Sequence, residues 1–401
     1  MHAPGFSMGS LYRVWNLCQG LTSMSHNCFV ITPFNYYEDW GPLVKFIPIP
    51  VISSKRGTNI SKLIYKVVRK ILDIKILSNF SLINPKILNG IINQISKRLL
   101  KFLSENPIHL DVIIGETEIG GLVLTRIKNY LKIPIIVDYQ NYWPEELVEH
   151  RIIKRYSRRY KFLVELEKEV IKDADFIITI CQAMADFLKD HFDRKYHLKI
   201  KAVNNGGVPV LDVPKEKKFP PKIINSGIVV HRSNYKLFLE GMKYVLKKYP
   251  ETQIFITKKG EKLKEVKKLV KKMKLNVNFY WKETIEEYFD LLSECHIGVV
   301  TSTNDLTRKL GFVAKAYDYF SVGIPVVCND IGGFTSIISN KKVGALSSND
   351  PPDLADKIIY FIENPDLAYE CGKRGINLLK EELSVNESSK NLIKCIKEIQ
   401  R

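Results

Sequence analysis

Two charged side chains near the end of the chain are spaced to bind a phosphorylated ligand. Lys315 and Asp318 lie three residues apart on a predicted helix, so both project from the same face. Gly311 and Phe312 precede that helix, whose first backbone N–H groups and dipole favour an anion such as a diphosphate. Lys315 can reach the same anion, and Asp318 can accept from ribose hydroxyls. A plain helix with both residues on its surface fits these residues equally well.

The residues around this pair predict a helix, a strand and a glycine turn. The helix covers residues 313–321 and ends before Gly323, a residue typical of helix C-termini. A buried strand over residues 325–329 follows, and Gly332 and Gly333 then form a turn.

Residues 310–336 resemble the donor-site signature of retaining GT-B glycosyltransferases, a family that uses nucleotide-sugar donors. The matching residues are Gly311-Phe312, Lys315-Ala316-Tyr317-Asp318-Tyr319, Gly323-Ile324-Pro325-Val326-Val327 and Gly332-Gly333. Weaker similarities lie at Ser226-Gly227 with Asn234, at Asn205-Gly206, at residues 175–180 and at residues 137–146.

The resemblance implies an α/β chain with the GT-B fold, in which two facing Rossmann-like domains with parallel sheets enclose an interdomain cleft. It also implies a retaining, metal-independent, hexosyltransferase-type enzyme without a cofactor, whose donor substrate is a nucleotide diphosphate sugar. Positive side chains and a helix N-terminus would stabilise the leaving diphosphate. The implied donor-binding residues are Gly227, Arg232, Gly311, Phe312, Lys315, Asp318, Gly332 and Gly333. Gly9 and Ser10 are expected to meet the donor phosphate across the cleft.

The chain departs from the family pattern where the family usually has charged residues. These positions carry Leu310, Ile228, Ser233 and Ser336, and Asp318 stands where Glu is usual. Arg232 lies beside one of the changed positions, and Arg308 and Lys309 lie near Lys315 in sequence. We therefore expect Arg232 and Lys315 to hold the diphosphate between them.

Asp138 is the predicted catalytic residue of the first domain. It ends a predicted strand over residues 133–138 and precedes a loop that we expect to be exposed. A carboxylate at the carboxyl end of a parallel strand faces the ligand crevice, where it can orient or deprotonate an acceptor hydroxyl. Capping of the following turn is an equally good interpretation. Glu116 and Glu118 follow another strand and are weaker candidates of the same kind.

No metal site is expected. Asp173 and Asp175 form a DxD pair, but they close a helix before an apolar strand, so a structural role is favoured. The seven cysteines form no CxxC pair and the eight histidines no HExxH motif. Scattered cysteines are typical of a reduced, cytoplasmic chain.

Positive charge is concentrated in the first half of the chain. The formal net charge is +18, and residues 53–104 carry eleven Lys or Arg against one acid. Residues 60–72 and 88–102 have the apolar periodicity of amphipathic helices. These residues predict contact with an anionic membrane surface that carries the acceptor, or helices packed on their own sheet with a solvated basic side. Nucleic acid ranks below lipid because no recognised binding motif is present.

Short apolar runs alternate with helical stretches, which predicts βαβ units. We expect an acceptor-binding domain over residues 1–204, a linker over 205–222 and a nucleotide-sugar-binding domain over 223–385. A C-terminal helix over 386–401 is expected to pack back on the first domain. Residues 4–10 look like the turn after a first strand, yet no strand precedes them. We therefore expect the first strand to be missing and this sequence to start at an internal or truncated position.

The leading prediction is a cytoplasmic glycosyltransferase, peripheral on the inner face of the membrane, that transfers a sugar to the hydroxyl of a lipid-linked glycan or polar lipid. Three alternatives stay open. A catalytically silent GT-B subunit would bind nucleotide sugar without turnover, and a GT-B epimerase would release nucleotide without an acceptor. A nucleic-acid-binding protein would show a steep salt dependence.

Overall fold

The computed structural model describes residues 9–32, 42–48, 84–106, 108–208, 217, 219–311 and 313–400. The chain forms two compact units. Among the described residues, the first comprises those within 17–204 and 389–400, and the second comprises 9–16 and those within 205–388. The last helix contributes its residues from Ser389 onward to the first unit. The linker over residues 205–222 stays a prediction. No helix among the described residues is long and apolar enough to cross a bilayer.

The first unit contains two parallel sheets. The larger sheet has the order β3–β4–β5–β6, and β1 pairs with β2 in a separate two-stranded sheet. The strands are β1 (Cys28–Thr32), β2 (Val44–Pro48), β3 (Ile113–Glu116), β4 (Ile135–Tyr139), β5 (Phe176–Thr179) and β6 (Ile200–Ala202). β4 and β5 are fully buried and, apart from Asp138 and Thr179 near their ends, consist of aliphatic and aromatic residues, as expected for central strands of a parallel sheet covered on both faces.

Helices cover the larger sheet of the first unit. They are α1 (Gly9–Ser23), which begins in the second unit, α2 (Pro85–Glu105), α3 (Thr117–Thr125), α4 (Lys128–Leu131), α5 (Trp143–Glu149), α6 (Arg158–Asp173) and α7 (Gln182–His191). One face of the core joins Leu17 of α1 with Ile136 and Ile178 of the sheet and with Leu392 from the C-terminal helix. This packing is why the last residues of the chain belong to the first unit.

The second unit is built on one six-stranded parallel sheet with the order β12–β11–β10–β7–β8–β9. Its strands are β7 (Lys222–Asn225), β8 (Gln253–Thr257), β9 (Asn278–Tyr280), β10 (Ile297–Val300), β11 (Val326–Asn329) and β12 (Gly344–Ser347). β7 comes first in sequence and lies in the middle of the sheet. The strand order therefore reverses between β7 and β10, the type of position where open parallel sheets bind ligands.

The helices of the second unit pack around this sheet. They are α8 (Tyr235–Lys248), α9 (Leu263–Met273), α10 (Ile285–Glu294), α11 (Leu306–Leu310), α12 (Ala314–Ser321), α13 (Thr335–Asn340), α14 (Pro351–Glu363), α15 (Pro365–Glu381) and α16 (Val385–Ile399), which ends in the first unit. Phe238 and Met242 of α8 and Leu354 of α14 are buried with Ile254 of β8 in one apolar core. This core holds the sheet in place, and the polar residues of the candidate site lie at the carboxyl ends of its strands.

The two predicted amphipathic segments differ in what the structure describes of them. Residues 60–72 lie outside the described residues. Residues 88–102 form most of α2, whose apolar stripe is buried, and Ser96 Oγ donates to the Val123 carbonyl of α3 at 3.0 Å. This half of the basic region is therefore a helix packed on its own unit, while the side chains of Lys97 and Lys101 face solvent.

Candidate functional site

The carboxyl ends of β7 and β10 carry a group of connected polar side chains. Asn225, the last residue of β7, is fully buried, and its amide nitrogen donates to Thr301 Oγ1 directly after β10 at 3.2 Å. The backbone N–H of Asn234 donates to the Thr301 carbonyl at 3.2 Å. The loop that follows β7 is thereby held against β10 at the position where the strand order reverses.

Lys315 reaches into this group from α12. Its Nζ donates to Asn225 Oδ1 at 2.7 Å. Gly227 has φ +86°, and a Cβ built on it would lie 3.6 Å from Lys315 Cε, so the glycine turn passes along the lysine stem. The lysine side chain thus spans from its helix to the end of β7.

The charge of Lys315 is suppressed by its surroundings. The pKa of Lys315 is lowered to about 7, chiefly by burial and also by the positive charge of Arg308, while Asp318 opposes both effects. The residue is nevertheless partly exposed to solvent. A bound anion would favour the charged ammonium and raise this pKa.

Arg308 and Arg232 add positive charge to the same region. His231 has a lowered pKa, chiefly because of burial, and the arginines at 232 and 308 both contribute to that shift. The Arg232 carbonyl accepts from the backbone N–H of Thr303 at 3.0 Å and from its hydroxyl at 3.2 Å. The charge of Arg308 thus influences both Lys315 and His231, and the charge of Arg232 influences His231. The expected binding of a diphosphate by Arg232 and Lys315 stays a prediction.

The N-terminus of α12 has no side-chain cap. Its N-cap residue is Val313, and the helix starts at Ala314, one residue later than predicted. Asn234, Thr284 and Asp350, by contrast, each accept a backbone N–H at the start of α8, α10 and α14. Gly311 ends α11 with φ −90°, and the predicted Phe312 lies outside the described residues. The uncapped N–H groups of α12 are suited to an anionic ligand.

Asp318 follows Lys315 on the same face of α12. Its Oδ2 accepts from the Tyr288 hydroxyl of α10 at 2.9 Å. Burial raises the pKa of Asp318 to about 6, while Tyr288 and Lys315 oppose that rise. The carboxylate is thus ionised above neutral pH, and it is partly exposed. It has the chemistry to accept from the hydroxyls of a ribose.

Tyr319 attaches α12 to the end of β7. Its hydroxyl accepts from Ser226 N at 2.9 Å and from Ser226 Oγ at 3.0 Å, and the ring is fully buried. A Cβ built on Gly298 of β10 would lie 2.3 Å from the Tyr319 ring. Only glycine at 298 leaves room for this ring, and this packing positions Lys315 and Asp318 one turn away.

Gly332 and Gly333 form the predicted turn after β11, with φ +76° and +63°. A Cβ on Gly333 would lie 1.8 Å from the Lys309 carbonyl oxygen, whereas one on Gly332 would meet nothing within 4 Å. Gly333 therefore allows close backbone packing against α11, and Gly332 borders open space.

Comparison with known proteins identifies the second unit. Residues 212–378 match the model of a family described as glycosyl transferases group 1. This segment of the second unit is thus similar to the glycosyl transferases group 1 family. The segment includes all eight predicted donor-binding residues of this glycosyltransferase.

Relatives and solved structures agree with this assignment. An uncharacterized glycosyltransferase of Methanocaldococcus jannaschii is 22% identical over 294 residues, which are 72% of this chain and 74% of the relative. The sucrose-phosphate synthase of Thermosynechococcus elongatus matches with a TM-score of 0.70 and 14% identity, covering 98% of this chain and 94% of that one. Anabaena HepE, solved in complex with UDP and glucose, matches with a TM-score of 0.66 and 12% identity, covering 99% and 98%. The fold of the glycosyltransferase is thus GT-B, as predicted.

Asp138 of the first unit lies in β4 and is fully buried. The loop after it, which we expected to be exposed, is also buried: Gln140, Tyr142 and Trp143 are each less than 9% exposed. The reason is packing against α6, where the buried Glu167 accepts from the Tyr139 hydroxyl at 2.6 Å. An acceptor hydroxyl therefore cannot meet Asp138 unless these side chains move, and its catalytic role stays a prediction.

Glu116 and Glu118 differ in their surroundings. Gln140 Nε2 donates to Glu116 Oε1, which ties the end of β3 to the buried loop. Glu118 is 7% exposed, and burial raises its pKa well above the usual range, with a further contribution from Glu167. Burial thus favours the neutral form of this carboxyl.

The DxD pair of the first unit has a structural role at Asp175. Its Oδ2 accepts from the Ile135 backbone N–H at 2.8 Å, and its Oδ1 accepts from Lys128 Nζ at 2.5 Å. In the part of the chain that the structure describes, no group of three or more His, Cys, Asp or Glu residues is arranged to hold a metal ion. Gly9 and Ser10 begin α1, and their side chains lie outside the described residues.

Proposed function

We propose that this glycosyltransferase transfers a hexose from a nucleotide diphosphate sugar to an acceptor hydroxyl with retention of configuration. The observation that carries the proposal is the group formed by Lys315, Arg308, Arg232 and the uncapped N-terminus of α12. This group combines cations and oriented N–H donors at the carboxyl edge of the sheet. Anabaena HepE, of the same fold, was solved with UDP, which supports a nucleotide diphosphate as the ligand.

In the proposed reaction, the bond between the sugar anomeric carbon and the diphosphate oxygen breaks while the acceptor oxygen attacks that carbon. The diphosphate leaves with the electron pair of the broken bond and an added negative charge, and the proton of the acceptor hydroxyl is released to water. Lys315 and the α12 N–H groups stabilise the developing charge at the leaving group, with about 1.5–3 kcal/mol for each charge-assisted hydrogen bond. Asp318 accepts from the ribose. These residues supply the charge stabilisation without a metal or other cofactor.

For the acceptor, we propose a lipid-linked glycan or polar lipid at the cytoplasmic face of a membrane, with the enzyme bound peripherally. The charge of residues 53–104, eleven basic residues against one acid, supports attraction to an anionic surface. The first unit would hold the acceptor, since the donor group described above belongs to the second.

The test is a donor screen by thermal unfolding followed by a turnover assay. Binding to the folded state alone raises the apparent stability by about 2.7 kcal/mol at a ligand concentration of a hundred times Kd. We expect one nucleotide diphosphate and its sugar conjugate to stabilise the wild type, and Lys315→Ala to lose this effect. Failure of every nucleotide diphosphate to stabilise the wild type would contradict the proposal.

Turnover then separates the proposed activity from its alternatives. A transferase releases nucleotide diphosphate only when a suitable acceptor is present and yields a glycosylated product. Release without an acceptor together with a changed free sugar would indicate an epimerase instead. Binding without any release across lipid and glycan acceptors would indicate a silent subunit, which the apolar, buried Leu310 at a usual acid position would then explain.

A further inference from the structure

The chain turns from α5 into α6 through a strongly basic stretch of the first unit, residues 151–161, named here the basic segment. It contains six Lys or Arg and no acid. Arg155 pairs with the buried Glu145 through Nε at 3.1 Å and through Nη2. The other five are exposed, and the structure gives them no ion pair within the residues it describes: Arg151, Lys154, Arg158, Arg159 and Lys161.

An exposed aromatic residue lies among these cations. Tyr156 is 74% exposed, and its backbone is in the left-handed region with φ +62°. A non-glycine residue in that region costs about 1–2 kcal/mol. The ring of Tyr156 touches the ring edge of Tyr160 at 5.8 Å between centroids, and most of its surface stays in water. Neither the strained backbone of Tyr156 nor the exposure of its ring contributes to the packing of the first unit.

A shallow groove runs beside Tyr156. Its volume is about 380 Å³, and its lining consists of Ile152, Ile153, Lys154, Ser157, Arg158 and Arg159. Apolar side chains and cations therefore line the same depression. A phospholipid surface offers the complementary chemistry. Its phosphate groups match the cations, and the adjoining parts of its acyl chains match the apolar side chains.

Hydrogen bonds of Glu145 and Ser157 hold the basic segment in a fixed position. Glu145 is 4% exposed and accepts from the Tyr160 hydroxyl at 2.7 Å in addition to its bonds with Arg155. Ser157 Oγ accepts from Tyr160 N and caps α6. One buried carboxylate and one helix cap thus organise the surface, so the cations do not depend on a ligand for their arrangement.

We propose that the basic segment is a docking surface for a bilayer that contains anionic phospholipid. The cations attract the phosphate headgroups, and Tyr156 with the groove at Ile152 contacts the interfacial region, where tyrosine side chains are favoured. A nucleic acid would match the charge but not the mixed apolar groove. The basic segment shares no residue with the stretch 53–104 or with the donor group, and the proposal does not depend on the sugar-transfer reaction.

The test compares binding of the full chain to phosphatidylcholine vesicles with and without phosphatidylglycerol, by flotation. The variant carries Lys154→Ser, Arg158→Ser and Arg159→Ser together. Each cation near an anionic surface contributes about fivefold to partitioning, so we expect the triple variant to bind anionic vesicles about a hundredfold less tightly than the wild type. Tyr156→Ser is expected to weaken binding about fivefold without any change of charge.

A matched variant controls for net charge. Lys264→Ser, Lys268→Ser and Lys272→Ser remove three exposed cations from α9 of the second unit, and this variant should bind vesicles within twofold of the wild type. Equal losses in the two triple variants would overturn the proposal, because the effect would then be one of total charge. Binding of the wild type that is indifferent to phosphatidylglycerol would also overturn it, as would a duplex DNA that binds with the same dependence on residues 154, 158 and 159.

Since all the substituted residues are exposed, the variants should unfold at the same temperature as the wild type. Should the first triple variant fail to fold, Tyr156→Ser still decides the matter. An unchanged affinity of that single variant for anionic vesicles would refute the proposed contact.

Discussion

Binding of UDP at neutral to alkaline pH should be coupled to the uptake of a proton by Lys315. With a pKa of about 7 in the ligand-free protein, Lys315 is charged in only about one tenth of the molecules at pH 8. Contact with a diphosphate returns its pKa toward the ordinary value of 10.5, so the bound state is fully charged. We therefore expect an uptake of about 0.9 proton for each UDP bound at pH 8.

The assay is isothermal titration calorimetry at pH 8 in two buffers with different ionisation enthalpies. Asp318 has a pKa of about 6, and so does the terminal phosphate of UDP, so both groups are already ionised at this pH. Neither therefore contributes to the proton uptake. Above pH 7 the affinity should fall by about tenfold for each pH unit. Lys315→Arg keeps its charge throughout and should bind UDP without proton uptake. Uptake below about 0.2 proton in the wild type would refute the placement of Lys315 against the diphosphate.

Three further predictions concern other residues. Glu167→Gln should flatten the pH dependence of stability: burial raises the pKa of Glu167 to about 8, so the native state holds a proton that the unfolded state loses near pH 4.5, and stability falls as pH rises between these values. Between pH 5 and pH 8, the free energy of unfolding measured with urea should change by up to about 4 kcal/mol less in the variant than in the wild type. Gly333→Ala should destabilise the protein by at least about 2 kcal/mol and Gly332→Ala by only about 1, because only the Cβ at position 333 meets the Lys309 carbonyl. Equal losses of stability in the two variants, measured by thermal unfolding, would contradict this packing. Asp318→Asn should weaken UDP about tenfold and leave inorganic pyrophosphate bound at least as tightly, as judged by calorimetry, since ribose contact is lost and a negative charge is removed; equal weakening of both ligands would exclude a ribose contact.

The fold could be predicted from the sequence where apolar runs are continuous. The strand predicted over residues 325–329 is β11, which begins one residue later, and the strand predicted over residues 133–138 is β4, which covers Ile135–Tyr139. β12, with the sequence Gly-Ala-Leu-Ser, was missed because it lies at the edge of the sheet and contains one large apolar residue. β2 was missed as well, since its apolar side chains are interrupted by a lysine.

The candidate site was predictable where its residues are close in sequence. Lys315 and Asp318 share a helical face, so their spacing alone brings them together. Asn225 and Tyr288 were missed, because they meet α12 across 90 and 30 residues and carry no local signal of that contact. Tyr319 is part of the motif at residues 310–336. Its role in joining α12 to β7 could not be predicted, because it depends on the absence of a side chain at Gly298.

For the loop after Asp138, the local residue types led to a wrong prediction of exposure. Its polar and proline residues are typical of exposed turns, and the prediction of exposure was wrong. Tertiary contacts decide its burial: Glu167 and His191, contributed by α6 and α7, accept or share the hydroxyl hydrogens of Tyr139 and Tyr142 at 2.6 and 3.0 Å. No pattern within the loop itself encodes these partners.

The polar chain from Asn225 through Lys315 has a consequence for engineering. Asn225, Lys315, Asp318 and Tyr288 all come from residues 205–388, so the donor site that we propose lies within one contiguous piece of sequence. Exchanging that piece with the corresponding part of another family member should transplant the preference for a nucleotide while the recipient keeps its own choice of acceptor.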